Sequence, residues 1–109
     1  MSTDYTPNAG NAPAAIPKAE IDRSFVHRLV VHYRDKGSDI YGIEFRWAVL
    51  DRPPAGIDDL VHIVFDPLSP CIFDFDESQR GKTCYFAMRW ENSHGIKGPW
   101  SGIYSAIIP

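Results

Sequence analysis

The chain has 109 residues, of which 44% are apolar and 13% aromatic, and this size and composition fit one domain with a core of its own. Its formal net charge is −3 with both signs interspersed, so it lacks the clustered Lys and Arg that binding to nucleic acid or to an anionic membrane requires. No run of apolar residues is long enough to predict a membrane-spanning segment.

Residues 1–15 predict a flexible leader or linker. They are mostly Pro, Ala, Asn, Gly, Ser and Thr, with almost no large apolar side chain to offset the entropy of ordering. The basic start and apolar stretch of a secretory signal are absent, which predicts a cytoplasmic protein if the chain is complete as written. Residues 16–109 are predicted to form one β-domain.

Two strands are predicted in the first third of the chain. Short apolar runs alternate there with turn signals at close spacing, which is typical of an all-β sandwich. A weak strand is predicted over residues 14–22 and a stronger one over residues 25–34, before a turn at 35–38. The odd positions of the stronger strand are predicted to face the core, namely Phe25, Leu29, Val31 and Tyr33.

Residues 42–50 show the clearest alternation of the chain, with β-branched and aromatic side chains at every second position. This predicts a third strand whose core face carries Ile43, Phe45, Trp47 and Val49. Proline pairs then interrupt the sheet, because proline removes a donor from the strand ladder. Between and after them the sequence predicts a turn at 58–60, short strands at 61–65 and 71–75, and a polar turn at 76–81.

The last two strands are predicted over residues 82–92 and 100–108, joined by a turn that contains Gly95, Gly98 and Pro99. The phase of the first of these strands places Arg89 outward, because burial of an unpaired charge is costly. The side chains then predicted to point inward are Cys84, Phe86, Met88 and Trp90. In the last strand the pattern leaves two faces open: Tyr104, Ala106 and Ile108 on one, and Ile103 and Ile107 on the other. Seven strands in about 95 residues is the size of an immunoglobulin-like sandwich.

The segment YFAMRWEN, which ends at Asn92, and the Gly-Pro-Trp-Ser that ends at Ser101 resemble the final strand pair of a fibronectin type III domain. In that family an aromatic-rich strand ends in Asn, and Trp-Ser precedes the last strand. The resemblance implies an all-β fold, a seven-stranded antiparallel β-sandwich of fibronectin type III or immunoglobulin-like type. It also implies that Tyr104, Ala106 and Ile108 form the inward face of the last strand. The chain from about His32 onward also resembles the C-terminal domain of uncharacterised bacterial proteins that end in RWEN and GPWS, and this second resemblance implies no activity.

No catalytic, cofactor or metal constellation is found. Cys71 and Cys84 are predicted to be free thiols, because the predicted strand order places them too far apart for a disulfide. His27 and His32 have opposite strand phase, so they do not share a metal from one face. The acidic residues of 74–77 do not match a calcium loop, and the serines lack a nucleophile-elbow context. The sequence therefore predicts a protein that is not an enzyme and binds no cofactor.

Three outward-facing residues form the candidate surface: Arg46, Arg89 and Trp100. The resemblance to a fibronectin type III sheet implies that the two arginines lie on neighbouring strands, and Trp100 lies at the start of the predicted last strand. An arginine stacked on a tryptophan contributes about 0.5–2 kcal/mol. The favoured interpretation is a cation–π contact that holds the end of the domain together. The alternative is an exposed aromatic and basic surface for a protein or a sugar.

These observations favour a non-catalytic interaction or spacer module, with a protein as its partner. A second hypothesis is a carbohydrate-binding accessory module that uses Trp100, Tyr85 or Tyr104 as a stacking platform. A third is a homo-oligomer formed through edge strands, since a short sandwich leaves sheet edges open. Exposed coplanar aromatic rings would favour the second hypothesis, and rings that are buried or covered by arginine would favour the first.

Overall fold

The computed structural model describes residues 12–34 and 40–109. The predicted turn at 35–38 and most of the predicted leader lie outside these residues, so both stay predictions. The elements described are β1 (Lys18–Asp22), β2 (Arg28–Arg34), β3 (Ile40–Leu50), a 3₁₀ turn (Ile57–Asp59), β4 (His62–Asp66), β5 (Cys71–Asp74), a second 3₁₀ turn (Glu77–Gln79), β6 (Thr83–Asn92) and β7 (Tyr104–Ile107). Within the described ranges, no helix is long and apolar enough to cross a membrane.

The strands form two antiparallel sheets that face each other. One sheet has three strands in the order β1-β2-β5, and the other has four in the order β4-β3-β6-β7. The centre of the larger sheet is the long β3–β6 pair, which extends from Ile40 opposite Asn92 to Leu50 opposite Thr83. The predicted seven-stranded antiparallel sandwich is therefore confirmed. In the described structure each sheet ends in two edge strands, and β4 is one of them.

The core lies between the sheets and is formed by the inward positions of both. The alternation in β3 and β6 predicts its centre correctly, because every second side chain there points to the same face. The fully buried members are Leu29, Val31, Ile43, Phe45, Cys84, Phe86, Met88 and Trp90. Ala106 and Ile108 are buried as predicted, and Tyr104 packs partly against the same core. Trp47 and Val49 are only partly buried, at the margin of the core.

The second strand begins three residues later than the sequence predicts. His27 has a positive φ of 62°, which interrupts the extended backbone before Arg28. The His27 N–H donates to the carbonyl of Pro109 at 2.8 Å, so this break joins the strand to the end of the chain. The prediction that Phe25 faces the core is wrong: it is 49% exposed, with the Arg28 guanidinium 6.0 Å from its ring centroid.

A second, smaller apolar cluster covers the outer face of the four-stranded sheet. Its buried members are Ala48, Leu60 and Ala87, and Leu50, Ile57, Tyr85 and Trp100 pack around them. Ala87 has the outward phase that the sequence predicts, yet it is fully buried. The reason is that the segment between β3 and β4, which carries Ile57 and Leu60, packs over this part of β6.

The two cysteines are free and buried, as the sequence predicts. Cys71 belongs to the smaller sheet and Cys84 to the larger one. Burial raises the pKa of each thiol to about 12, and the nearby Asp66 carboxylate adds to the shift at Cys71.

We expect the folded protein to react negligibly with a thiol-specific disulfide reagent at pH 8, because reaction requires an accessible thiolate. The same reagent should titrate both thiols once the chain is unfolded in denaturant. The absorbance of the released chromophore measures the number of thiols that react in the folded and in the unfolded protein. Rapid modification of either thiol in the folded protein would show that the sandwich opens around it.

Candidate functional site

Arg89 and Trp100 lie in contact on the outer face of the four-stranded sheet. Arg89 projects from β6, and Trp100 lies in the connection between β6 and β7. The guanidinium carbon is 4.2 Å from the centroid of the indole ring, within the range of a cation–π contact. The indole also packs against the second apolar cluster, so it is only partly exposed. One face of the ring is therefore covered by arginine.

Arg46 is directed elsewhere. Its Nε donates to the carbonyl of Leu60 at 2.9 Å, and its Nη1 is 3.7 Å from the carboxylate of Asp58. Both partners belong to the segment between β3 and β4, so Arg46 holds that segment against the sheet. The structure thus brings Arg89 and Trp100 together. Arg46 lies near them in the sheet, but its side chain bonds other residues. A role for the three residues in binding stays a prediction.

Ser101 fixes the position of Trp100. The Ser101 N–H donates to the carbonyl of Met88 at 2.7 Å, and the Met88 N–H donates to the Ser101 hydroxyl at 2.9 Å. A side-chain oxygen thus takes the place that a carbonyl would have in a strand ladder. The predicted last strand begins at Trp100, whereas β7 begins at Tyr104. The prediction is wrong at this end because a side-chain bond of Ser101 replaces a regular ladder bond. The residues before Tyr104 run beside β6 without forming a regular strand.

The rest of the β6–β7 connection is also held by hydrogen bonds. The Asn92 side-chain oxygen accepts from the N–H groups of His94 and Ile96 at 2.9 and 3.0 Å. Gly98 donates its N–H to the carbonyl of Trp90, and a Cβ at this position would lie 2.5 Å from the carbonyl oxygen of Pro13. The Asn and Gly that carry the family resemblance therefore have structural roles in this turn.

A buried carboxylate adjoins the Arg–Trp contact. Glu44, in β3, lies opposite Arg89 and is 7% exposed. It accepts a hydrogen bond from Arg89 Nε at 3.0 Å, and its carboxylate is 2.9 Å from Lys97 Nζ. Lys97 also bonds Glu91 at 2.6 Å. The outward phases of β3 and β6 could have indicated the Glu44–Arg89 pair, but Lys97 comes from the turn and carries no such signal.

Opposing effects set the pKa values in this charge network. Burial alone would raise the pKa of Glu44, but hydrogen bonds from Lys97 and Arg89 outweigh it, and the pKa of Glu44 is lowered. Burial would lower the pKa of Lys97, but hydrogen bonds to Glu91 and Glu44 outweigh it, and that pKa is raised. Glu44 and Lys97 are therefore ionised at neutral pH, and their ion pair stabilises the folded state.

Trp100→Ala should lower the free energy of unfolding by about 1–2 kcal/mol, since it removes a cation–π contact and part of the outer cluster. Urea unfolding followed by circular dichroism measures this. Ile103→Ala is the matched control, because Ile103 lies in the same connection, is 38% exposed and belongs to neither apolar cluster, and its effect should stay below about 0.5 kcal/mol. Equal stability of the two variants would show that the stacked ring is not part of what holds the domain together.

The three aromatic residues of the carbohydrate hypothesis do not share a face. Tyr85 packs on the outer cluster, whereas Tyr104 points inward and stacks on Phe86 with ring centroids 5.3 Å apart. Trp100 is covered by Arg89. The three rings therefore do not form the exposed coplanar platform that the carbohydrate hypothesis requires.

The histidines and acidic residues have other partners. Among residues 12–34 and 40–109, no group of three or more His, Cys, Asp or Glu side chains could hold a metal ion. His27 bonds Glu77 at 2.6 Å, and Arg28 forms an ion pair with Asp74 at 2.7 Å. The ring of His62 lies 4.4 Å from that of Trp47. An open groove of about 550 Å³ passes these last two rings, where the two sheets separate.

The surface around β4 carries no motif that would mark it in the sequence. At this sheet edge four apolar side chains are exposed: Val61, Ile63, Val64 and Phe65. Leu68 follows them and is 71% exposed. A continuous apolar run is typical of a buried strand, so periodicity gives no sign of this exposure. Of the four, Phe65 is partly covered, because its ring stacks on Tyr41 with centroids 5.6 Å apart.

Comparisons with known proteins show the fold. No protein-family model matches the chain. No curated protein matches its sequence either. A solved structure described as "Crystal structure of chicken CNTN1 FN1-FN3 domains" is similar with a TM-score of 0.67 at 14% sequence identity, over 88% of this chain and 32% of that chain. The chain folds as a fibronectin type III-like β-sandwich. The resemblance seen in the sequence is confirmed at the level of the fold, and at this identity the similarity extends no further.

The chain spans about a third of the length of that chicken structure. The fibronectin type III-like fold leaves two kinds of surface open to a partner: the outer faces of the sheets, and the edge strands. In this sandwich the outer face of the larger sheet is largely occupied by its own cluster and charge network. Edge strand β4 is exposed and apolar.

Proposed function

We propose that this fibronectin type III-like domain is a non-catalytic interaction module whose contact surface is the edge formed by β4. One observation carries the proposal: the apolar side chains of β4 are exposed at a sheet edge that pairs with no other strand in the described structure. An edge of this kind is a template for strand pairing, and contiguous exposed apolar surface marks an interaction site. Sandwiches of this fold commonly mediate interactions, although a fold alone does not fix a function.

The Arg–Trp surface is less suited to a partner. Arg89 already bonds Glu44 and stacks on Trp100, so a ligand at this place would have to replace existing contacts. The side chain of Ile63, by contrast, is 62% exposed. Covering such surface contributes about 25 cal/mol per Å² of apolar area. The exposed apolar side chains at β4 therefore offer a partner more free energy of binding than the Arg–Trp surface does.

A non-catalytic role is supported by where the perturbed titratable groups lie. Catalytic groups with strongly shifted pKa values usually line a cleft. Here the largest upward shifts belong to Cys71, Cys84 and Tyr33, and burial is the main cause of each. All three side chains belong to the core cluster between the sheets. Their shifts reflect packing in the core.

Site-directed photo-cross-linking tests the proposal. A photoreactive phenylalanine analogue would replace Ile63, and in a matched variant Ile107, which is similarly exposed on the opposite edge of the same sheet. After irradiation in an extract of the source cells, an adduct at position 63 that is absent at position 107 is expected. An adduct at neither position, or the same adducts at both, would overturn the assignment of the contact surface to β4.

A further inference from the structure

We infer that the partner of the β4 edge is a second copy of this chain, paired with it in an antiparallel manner about a twofold axis at Val64. The inference rests on the proposed function and names the partner. Three features of the edge support it: the direction of its backbone groups, the positions of its two polar side chains and the pairing of its apolar side chains.

The hydrogen bonds of β6 determine which way the backbone groups of β3 point. The N–H and C=O of Met88 are both bonded to Ser101, which lies on the side of β6 away from β3. Residue pairs of an antiparallel ladder alternate between bonded and non-bonded. Met88 lies opposite Phe45, so this pair is non-bonded and the backbone groups of Phe45 point to β4.

The same alternation determines the direction of the groups of β4. Phe45 lies opposite Val64, so the backbone groups of Val64 bond β3, and those of its neighbours Ile63 and Phe65 point away from the sheet. No strand of the described structure pairs with that side of β4. The edge thus offers two N–H and two C=O groups to an incoming strand, at alternate residues.

A twofold axis perpendicular to the sheet pairs β4 with itself and keeps each face of the sheet on its own side. With the axis at Val64, Ile63 of one copy lies opposite Phe65 of the other. Each pair of this kind exchanges two N–H···O bonds, so all the outward backbone groups of Ile63 and Phe65 are used. The same pairing places two large apolar side chains together on the outer face.

This axis position also pairs an imidazole, which can donate a hydrogen bond, with a carboxylate that can accept one. His62 and Asp66 lie on the inner face at equal distances from Val64, so each faces the other residue of the second copy. With the axis at Ile63 or Phe65, one of them would face Val64 instead. Both side chains are held in place: Asp66 accepts a hydrogen bond from the Tyr33 hydroxyl at 2.9 Å, and His62 lies against Trp47.

The edge carries few of the features that prevent pairing. Lysine or proline within an edge strand commonly blocks the addition of another strand. β4 has neither, and Pro67 follows directly after it, which limits the pairing to these five residues. Two strands of this length bury less than the roughly 1,600 Å² of a standard interface, so the dimer is expected to be weak and dependent on concentration.

Disulfide trapping tests the register. In a non-bonded antiparallel pair the Cα atoms are about 4.5 Å apart. This lies within the range of about 4.4–6.8 Å that a disulfide spans. Val64→Cys should therefore form a covalent dimer under mild oxidation. Ile63→Cys is the control, because its new thiol would face Phe65 of the second copy, and its cross-linking should be at least about tenfold slower. The buried native thiols should not compete. Equal rates for the two variants would overturn the register.

Sedimentation equilibrium and amide exchange test the dimer in the native chain. The chain should associate as its concentration rises, and the amides of Ile63 and Phe65 should gain protection, whereas the amide of Val64 should be protected throughout. Ile63→Pro, which removes an outward N–H, should abolish association. Ile72→Lys, at an exposed position of an edge strand of the other sheet, should leave it unchanged. A native chain that stays monomeric at millimolar concentration would overturn the inference.

The cross-linking at position 63 separates this inference from the proposed function. An adduct with a second copy of the chain supports both. An adduct only with a different protein overturns the self-pairing and leaves β4 as the contact surface of an interaction module. The absence of any adduct at position 63 overturns both.

Discussion

Phe45→Ala should lower the free energy of unfolding by about 3–5 kcal/mol, the largest effect we expect from one substitution in this domain. Phe45 is fully buried at the centre of β3. Its ring centroid lies 5.8, 5.7 and 6.1 Å from those of Tyr33, Phe73 and Phe86, so it contacts side chains of both sheets. The substitution leaves a cavity between the sheets that the surrounding strands can close only in part.

The loss should be measured by equilibrium urea unfolding, followed by circular dichroism. A domain of this size has about 5–15 kcal/mol of stability, so the variant should unfold at a much lower urea concentration or be unfolded in buffer. Ile107→Ala is the control, because Ile107 is exposed, and its cost should stay below about 0.5 kcal/mol. Near-native stability of Phe45→Ala would mean that β3 has the opposite face turned inward, since a slip of one residue exchanges the faces.

Trp47 shows a limit of the same reasoning. The alternation of β3 predicts that Trp47 and Phe45 contribute alike to the core. In the structure Trp47 is only partly buried and lines the open groove near His62. Its replacement by alanine should therefore cost less than that of Phe45. Strand phase gives the face of a side chain, but how far that face is covered depends on the width of the opposite sheet.

The sequence was sufficient to predict the two long central strands and the face that each turns to the core. β3 and β6 each present one apolar face over ten or more residues, and a pattern that regular has few structural alternatives. The Trp-Ser resemblance likewise placed Trp100 beside Arg89, although it did not reveal that Ser101 supplies a ladder bond. These features depend on residues close in sequence or directly opposite in a predictable pair.

The remaining features depend on contacts between distant segments. Ala87 is buried because residues around Leu60 pack over it, and no periodicity in β6 indicates this. The run before Asp66 reads as a buried strand, and its exposure follows only from the place of β4 at the end of the sheet. The position of a strand in its sheet is a property of topology. For this reason the sequence predicted open sheet edges but did not indicate that β4 forms the exposed apolar one.

Glu44→Gln should lower the free energy of unfolding at pH 7 by about 1–3 kcal/mol. Glutamine keeps the shape of the side chain but removes the charge that Arg89 and Lys97 share. The lower part of the range is expected because those two cations keep contact with water, with 26% and 38% of their side-chain surface exposed. Glu20→Gln is the control, since the Glu20–Arg34 pair is exposed and should contribute almost nothing.

The pH dependence of stability shows why Glu44→Gln lowers the free energy of unfolding. The pKa of Glu44 in the folded state lies below its ordinary value of 4.5, so the carboxylate stabilises the fold above that pH, and this stabilisation is lost as the pH falls through the lowered pKa. Urea unfolding at several pH values between 7 and 3 gives the free energy of unfolding of the native chain and of Glu44→Gln. The difference between these two free energies should become smaller as the pH falls. A difference that stays constant over this range would assign the loss to packing of the side chain. A narrowing difference would assign the loss to the ion pairs that the Glu44 carboxylate forms with Arg89 and Lys97.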